Sequence, residues 1–242
     1  MRSLILAGLL AATAACNAGA RDGASGGNPL GRASRTFQAG NFDRIDLTGT
    51  PDVIVAVGGQ PSVRAEGDAA DLDRLQIEVV DGTLRIGTRP GSWTGSQHPV
   101  VVHVAVPGLR GATITGTGDI NIDHVEGPAF AASVSGTGDL DVSRLRVTEA
   151  SFSVTGAGGI RASGGASRTN ASLNGVGDLS LSGFETTDAT VSLVGTGDIA
   201  LRATGTAQVQ LSGTGGVTIS GGARCTIART GLGEVSCGAT SG

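Results

Sequence analysis

The chain has 242 residues, 42 of them glycine and only 2% aromatic, with a formal net charge of −4. The glycines keep no strict three-residue period, which excludes collagen, and 39% hydrophobic residues at so small a net charge exclude a simple disordered chain. All 17 basic residues are Arg, they form no basic run, and almost nothing is present to stack on bases, so a nucleic-acid partner is excluded.

In chain order, the N-terminus reads as an address. Met1-Arg2-Ser3 supplies a positive charge, and residues 4–12 form an apolar run too short to span a bilayer. That is the make-up of a secretory signal, predicted over residues 1–15. Thr13-Ala14-Ala15-Cys16 resembles the bacterial lipobox, with Thr13 where Leu is usual. It makes Cys16 the predicted lipidation site and a membrane the predicted partner through that anchor. Cleavage after Ala18-Gly19-Ala20 is the competing reading. By the same resemblance Asn17, which is not the aspartate of inner-membrane retention, points to an outer-membrane lipoprotein on its periplasmic or surface face. Residues 16–36 are mostly Gly, Ala, Ser, Asn and Arg without periodicity and are predicted as a flexible tether, about 25 Å long root-mean-square.

Residues 37–242 are predicted as one β-rich domain. In its less regular first part, residues 45–47, 53–55, 83–86 and 100–106 read as strands, and Asp81-Gly82 is a hairpin signal. Residues 69–75 fit a single helical turn. The segment 87–99 carries Trp93 and His98 among Gly, Ser and Pro, and is the one loop with functional character.

Beyond residue 110 a repeat takes over. Glycine pairs recur as Gly116-Thr-Gly-Asp119, Gly136-Thr-Gly-Asp139, Gly156-Ala-Gly-Gly159, Gly175-Val-Gly-Asp178, Gly195-Thr-Gly-Asp198, Gly213-Thr-Gly-Gly216 and Gly231-Leu-Gly-Glu234, spaced 20, 20, 19, 20, 18 and 18 residues apart. After each pair, one column reads Ile120, Leu140, Ile160, Leu179, Ile199, Val217 and Val235, and a second, two residues on, reads Ile122, Val142, Ala162, Leu181, Leu201, Ile219 and Cys237. Counting back from the next glycine gives Val134, Val154, Leu173, Leu193 and Leu211. Period-two alternation repeated at a fixed interval predicts two short strands per coil, stacked about 4.8 Å apart into a parallel β-helix. The predicted fold is therefore all-β, a solenoid of about 18–20 residues per coil. Cys225 and Cys237 both fall in inward columns at the same end of the stack, which predicts a disulfide closing that end.

The order Phe42-Asp43-Arg44-Ile45, Gly49-Thr50-Pro51-Asp52-Val53, Gly82-Thr83-Leu84-Arg85-Ile86 and Val104-Ala105-Val106-Pro107, followed by serial Gly-x-Gly-Asp corners, resembles the head GIN domain family of auto-transporter adhesin heads over residues 37–237. The resemblance implies a right-handed parallel β-helix on an exported protein. It carries no catalytic residues. Asp is missing at Gly159 and Gly216, so the acidic column is interrupted.

Two sets of residues are candidates for binding. The corner acids Asp119, Asp139, Asp178 and Asp198 would stack in rows where a calcium ion could relieve repulsion. The blander expectation is that each carboxylate accepts backbone N–H bonds within its own turn. Outward from the core, Ser133, Ser153, Ser172, Ser192 and Gln210 form one polar column, beside Ser151, Asn170, Thr190 and Gln208. Such a flat, nearly uncharged surface suits an extended glycan or an envelope protein. No cofactor, zinc cluster or phosphate loop is expected: Gly-Thr-Gly-Asp lacks a following Lys and precedes a strand. The functional expectation is a non-catalytic envelope binding module. A polysaccharide-active enzyme using the 87–99 loop and a purely structural spacer are the alternatives.

Overall fold

The computed structural model describes residues 32–89 and 99–238. The expected signal 1–15, Cys16, most of the tether, and Trp93 and His98 lie outside the described residues. Alternating apolar and polar residues make strands with one buried face, and here those faces stack on themselves. In the repeat region the strands are β8 (Gly111–Ile114), β9 (Ile120–Ile122), β10 (Val125–Val134), β11 (Leu140–Gly156), β12 (Ile160–Gly175), β13 (Leu179–Gly195), β14 (Asp198–Gly213), β15 (Gly216–Ser220), β16 (Arg224–Gly231) and β17 (Glu234–Cys237). Each pairs in parallel with its counterparts one coil away. The protein is a parallel β-helix.

A coil has three flat runs rather than the two expected. Along β11 the buried residues are Leu140, Val142, Leu145, Ala150, Phe152 and Val154, with Val147 partly buried. Inward positions two apart mark a flat strand, whereas the three-residue steps 142–145 and 147–150 require a bend. The pairing register of β11 on β12 shifts between Val142 and Leu145 at the first of these. We call the run before each Gly-x-Gly corner the first side, the run after it the second, and the short run around residues 145–147 the third. Phe152 from the first side and Phe184 from the third meet edge-to-face in the middle, with centroids 5.5 Å apart and planes at 86°.

Chain order and spatial order part company in the first coils, built from β2 (Arg44–Leu47), β3 (Asp52–Val57), β6 (Thr83–Thr88) and β7 (Val101–Val106). Strand β2 lies between β6 and β8, and β3 lies between β7 and β9, all in parallel. The second coil in sequence is thus laid outside the first, and the chain then crosses back to continue on the other side. Inward columns run straight through: Ile86, Leu47, Ile114, Val134, Val154, Leu173, Leu193 and Leu211 face one another in register and are all buried.

Antiparallel strands end the stack. Strand β5 (Leu75–Val80) turns back on β6 through Asp81 (φ 50°) and Gly82 (φ 73°), a two-residue hairpin with both central φ positive. Strand β4 (Ser62–Asp68) runs antiparallel to β7 and leads into the helical turn α1 (Ala69–Leu72). Residues 32–36, expected to be tether, instead form strand β1 (Arg32–Phe37), antiparallel to β4. Its composition carries no strand signal; the free edge of β4 imposes the conformation. Arg35 fixes it further by donating to the Leu72 carbonyl at 2.9 Å and pairing with Asp73.

Candidate functional site

The Gly-x-Gly corners bring the coils into contact. Gly195 has φ +132°, a conformation L side chains rarely adopt. The middle residue points outward and tolerates Thr137, Ala157, Val176 or Leu232, all exposed. The acid that follows holds the neighbouring coil rather than its own turn. Asp139 N donates to Asp119 Oδ1 at 2.8 Å, Gly159 N to Asp139 Oδ1 at 2.7 Å, Asp198 N to Asp178 Oδ1 at 3.0 Å, and Gly216 N to Asp198 Oδ1 at 2.8 Å. Asp52, in the variant corner Gly49-Thr-Pro-Asp52, begins the ladder by accepting from Asp119 N at 3.2 Å. The expectation of bonds within one turn is corrected: the strand after each corner leaves in parallel register, so the nearest unpaired N–H belongs to the next coil. Gly159 offers no carboxylate, so the ladder breaks between Asp139 and Asp178. Among the described residues no three His, Cys, Asp or Glu side chains converge to hold a metal ion.

A different carboxylate acts at the bend after β9. Asp123 Oδ1 accepts from Val57 N at 3.0 Å and from His124 N at 2.6 Å, and Asp123 Oδ2 lies 3.1 Å from His124 Nδ1. Burial raises its pKa, but the two backbone N–H bonds and the His124 contact outweigh this and hold it below the ordinary 3.8.

The first side presents the second candidate. Thr113, Ser133, Ser153, Ser172, Ser192 and Gln210 stand in register, one per coil. Ser133, Ser153 and Ser192 are half-buried, and Ser172 and Gln210 are exposed. Beside them run Ala131, Ser151, Asn170, Thr190, Gln208 and Thr226 on one flank, and Thr155, Asn174, Val194, Ser212 and Thr230 on the other. None of these side chains is charged. Charge sits at the border and on the other sides: Arg168 bonds Glu149 at 2.5 Å at the bend into the first side, Arg202 bonds Glu185 at 2.7 Å, and Arg161 lies 3.7 Å from Asp141. The polar side is therefore flat and periodic, with the Glu149–Arg168 pair at its border beside Ser151 and Asn170.

At the N-terminal border of this surface the sequence reading missed Arg44 and Arg110. They meet only because β2 pairs with β8, which no local pattern announces. Two clefts, of about 340 and 390 Å³, adjoin there and share Arg110, Pro128 and Ala129 in their walls. At the far end, Cys225 and Cys237 are joined by a disulfide with Cα atoms 6.5 Å apart, linking β16 to β17.

Residues 41–223 match the family described as "Putative auto-transporter adhesin, head GIN domain". The chain belongs to that family. The matched span of this head GIN domain holds the corner ladder and most of the polar side, and stops before β16, β17 and the disulfide. Among solved structures, the domain is similar to a "putative adhesin" from Bacteroides fragilis, with a TM-score of 0.81 at 20% identity over 85% of this chain and 96% of that one. A "putative lipid binding protein" and a "putative adhesin", both from Parabacteroides distasonis, follow. They have TM-scores of 0.68 and 0.66 at 17% and 18% identity, over 87% and 88% of this chain and 98% of each of those chains. At these identities the likeness shows the fold. No curated protein matches the chain in sequence. The family is adhesin-like, which is the character of a surface or exported protein.

Proposed function

We propose that this head GIN domain is a non-catalytic binding module of the bacterial cell envelope, and that its first side holds an extended glycan. One observation carries the reading. Ser133, Ser153, Ser172, Ser192 and Gln210 repeat coil by coil in register, flanked by further hydroxyls and amides, without a charged side chain. A polymer with its own repeat can form the same hydrogen bond at each coil, so individually weak contacts sum along its length. An envelope protein is the other occupant that such a surface suits. The signal pattern and Cys16 support export and an acyl anchor in the outer membrane, with residues 17–31 as the spacer.

The test uses the full chain, purified and incubated with a panel of envelope and extracellular polysaccharides, with retention and product length read together. Retention of a polymer at unchanged length is expected. The triple variant Ser153→Leu, Ser172→Leu, Ser192→Leu should lose that retention while keeping its β-rich circular dichroism. Retention by the folded triple variant would refute the assignment of the surface, and shortened polymer would refute the non-catalytic reading. For the anchor, Cys16→Ala should move the protein from the membrane to the soluble fraction.

A further inference from the structure

The neutral columns of the first side end against charge. Strand β2 carries Arg44 one coil before Gly111 and two before Ala131, in the column that continues as Ser151 and Asn170. These two small residues leave a recess: a Cβ on Gly111 would lie 3.8 Å from Arg44 Cγ, so the arginine stem lies over the glycine. Arg110, in the loop just before β8, borders the same recess, and Ala129 and Ala131 line it. Resting on the reading of the first side as a glycan surface, we propose that Arg44 and Arg110 form a carboxylate-binding subsite at its N-terminal end. The ligand is then an acidic glycan of the uronate class, its remaining residues lying along the Ser, Asn and Thr columns.

The electrostatics of the recess favour an added anion. Both guanidinium groups lean on one carboxylate: Arg44 Nη1 is 3.6 Å from Asp43 Oδ1, and Arg110 Nε is 3.4 Å from Asp43 Oδ2. These separations exceed those of direct hydrogen bonds, and the arginine side chains are 57% and 63% exposed, so donors remain free on each. Counting Asp43 against Arg44 and Arg110, and Asp46, two residues along β2, against Arg85, which stands opposite it on β6, leaves one net positive charge. The other acid lining the recess, Glu149, is engaged by Arg168 through Nε at 3.2 Å and Nη2 at 2.5 Å. Glu126 lines the adjoining cleft and not this recess. A planar guanidinium fork matches a carboxylate better than a neutral hydroxyl, so these two residues sort acidic from neutral polymers. Ser151 and Asn170, next along the column, offer a hydroxyl and an amide to the neighbouring ring hydroxyls.

The test compares polygalacturonate and alginate with their methyl-esterified forms, which keep the backbone but lose the charge, on the immobilised full chain. We expect the charged forms to bind about tenfold more tightly, the preference to weaken as salt rises, and the double variant Arg44→Gln, Arg110→Gln to abolish it. The double variant should still bind the esterified polymers, whereas the Ser153, Ser172, Ser192 triple variant should lose both forms. Equal affinity for charged and esterified polymers, or a preference that survives the double variant, overturns the subsite; binding of the esterified form in that experiment leaves the first-side reading standing. Failure of the full chain to bind any of these polymers overturns the uronate assignment.

Discussion

Replacing Gly197 by Ala tests whether the corners are set by close approach between coils. A Cβ built there would lie 1.8 Å from the Gly177 carbonyl oxygen, 2.9 Å from its carbonyl carbon and 3.0 Å from Leu173 Cδ1. Real Cβ atoms keep at least 3.0 Å, so 3.0 − 1.8 = 1.2 Å of displacement must be found. The obstacle is backbone, and the corner is held from both neighbouring coils. Thr196 N donates to Gly175 O at 3.0 Å and Thr214 N to Gly195 O at 3.0 Å. Overpacking costs about 1–3 kcal/mol, and each weakened backbone bond adds about 1 kcal/mol, so a loss of about 3–5 kcal/mol is expected. Gly127→Ala is the control, since nothing lies within 4 Å of its Cβ and no unusual φ is required. That change should be neutral or stabilise by up to about 1 kcal/mol through the unfolded chain. Urea unfolding of both full-length variants, followed by circular dichroism with the slope m compared, measures the difference. A Gly197→Ala variant within about 1 kcal/mol of the unsubstituted protein would refute the claim that coil contact, and not turn conformation alone, demands glycine here.

Thr169 is 2% exposed and its Oγ1 has no hydrogen-bond partner, in a column whose neighbours are Ala150 and Ala189. Thr169→Val keeps the shape and removes the unsatisfied hydroxyl, so the urea midpoint should rise by the equivalent of about 1 kcal/mol; a fall would show that the hydroxyl is satisfied in solution. The pKa of Asp123 is held below 3.8, so its contribution to stability is complete above pH 3.8 and disappears as pH falls through its lower folded value. Asp123→Asn should therefore be less stable at neutral pH, with the difference shrinking in acid, and a difference independent of pH would contradict the assignment. Reduction of Cys225–Cys237, which closes a separation of 12 residues, should free the last coil by about 3 kcal/mol. Hydrogen exchange should quicken in β16 and β17 and stay slow in β11–β14, while uniform loss of protection would show that the bridge supports the whole stack.

Much of the fold was legible because a solenoid turns long-range contacts into a sequence period. Leu140 stacks on Ile160 because the same columns recur every coil, so alternation plus spacing named the inward residues from Ile120 to Val217. The polar columns of the first side follow from the same arithmetic. Bends within a coil were hidden, because a three-residue step such as Val142 to Leu145 reads in one dimension as a lapse in alternation. The direction of the Asp bonds was hidden as well. Sequence shows an acid after each glycine pair, but which N–H it reaches depends on the offset between stacked coils.

The sequence by itself determined a stacked parallel β-helix with glycine corners, a core of aligned apolar columns and one neutral polar surface. Each of these is a nearest-neighbour consequence of a repeated unit. Tertiary structure alone decided the order β6, β2, β8 in the first coils, the capture of residues 32–36 as a strand, and the meeting of Arg44 with Arg110. In those places non-repeating segments choose partners far along the chain. That choice depends on which free strand edge remains after the apolar columns are filled, and no period in the sequence records it.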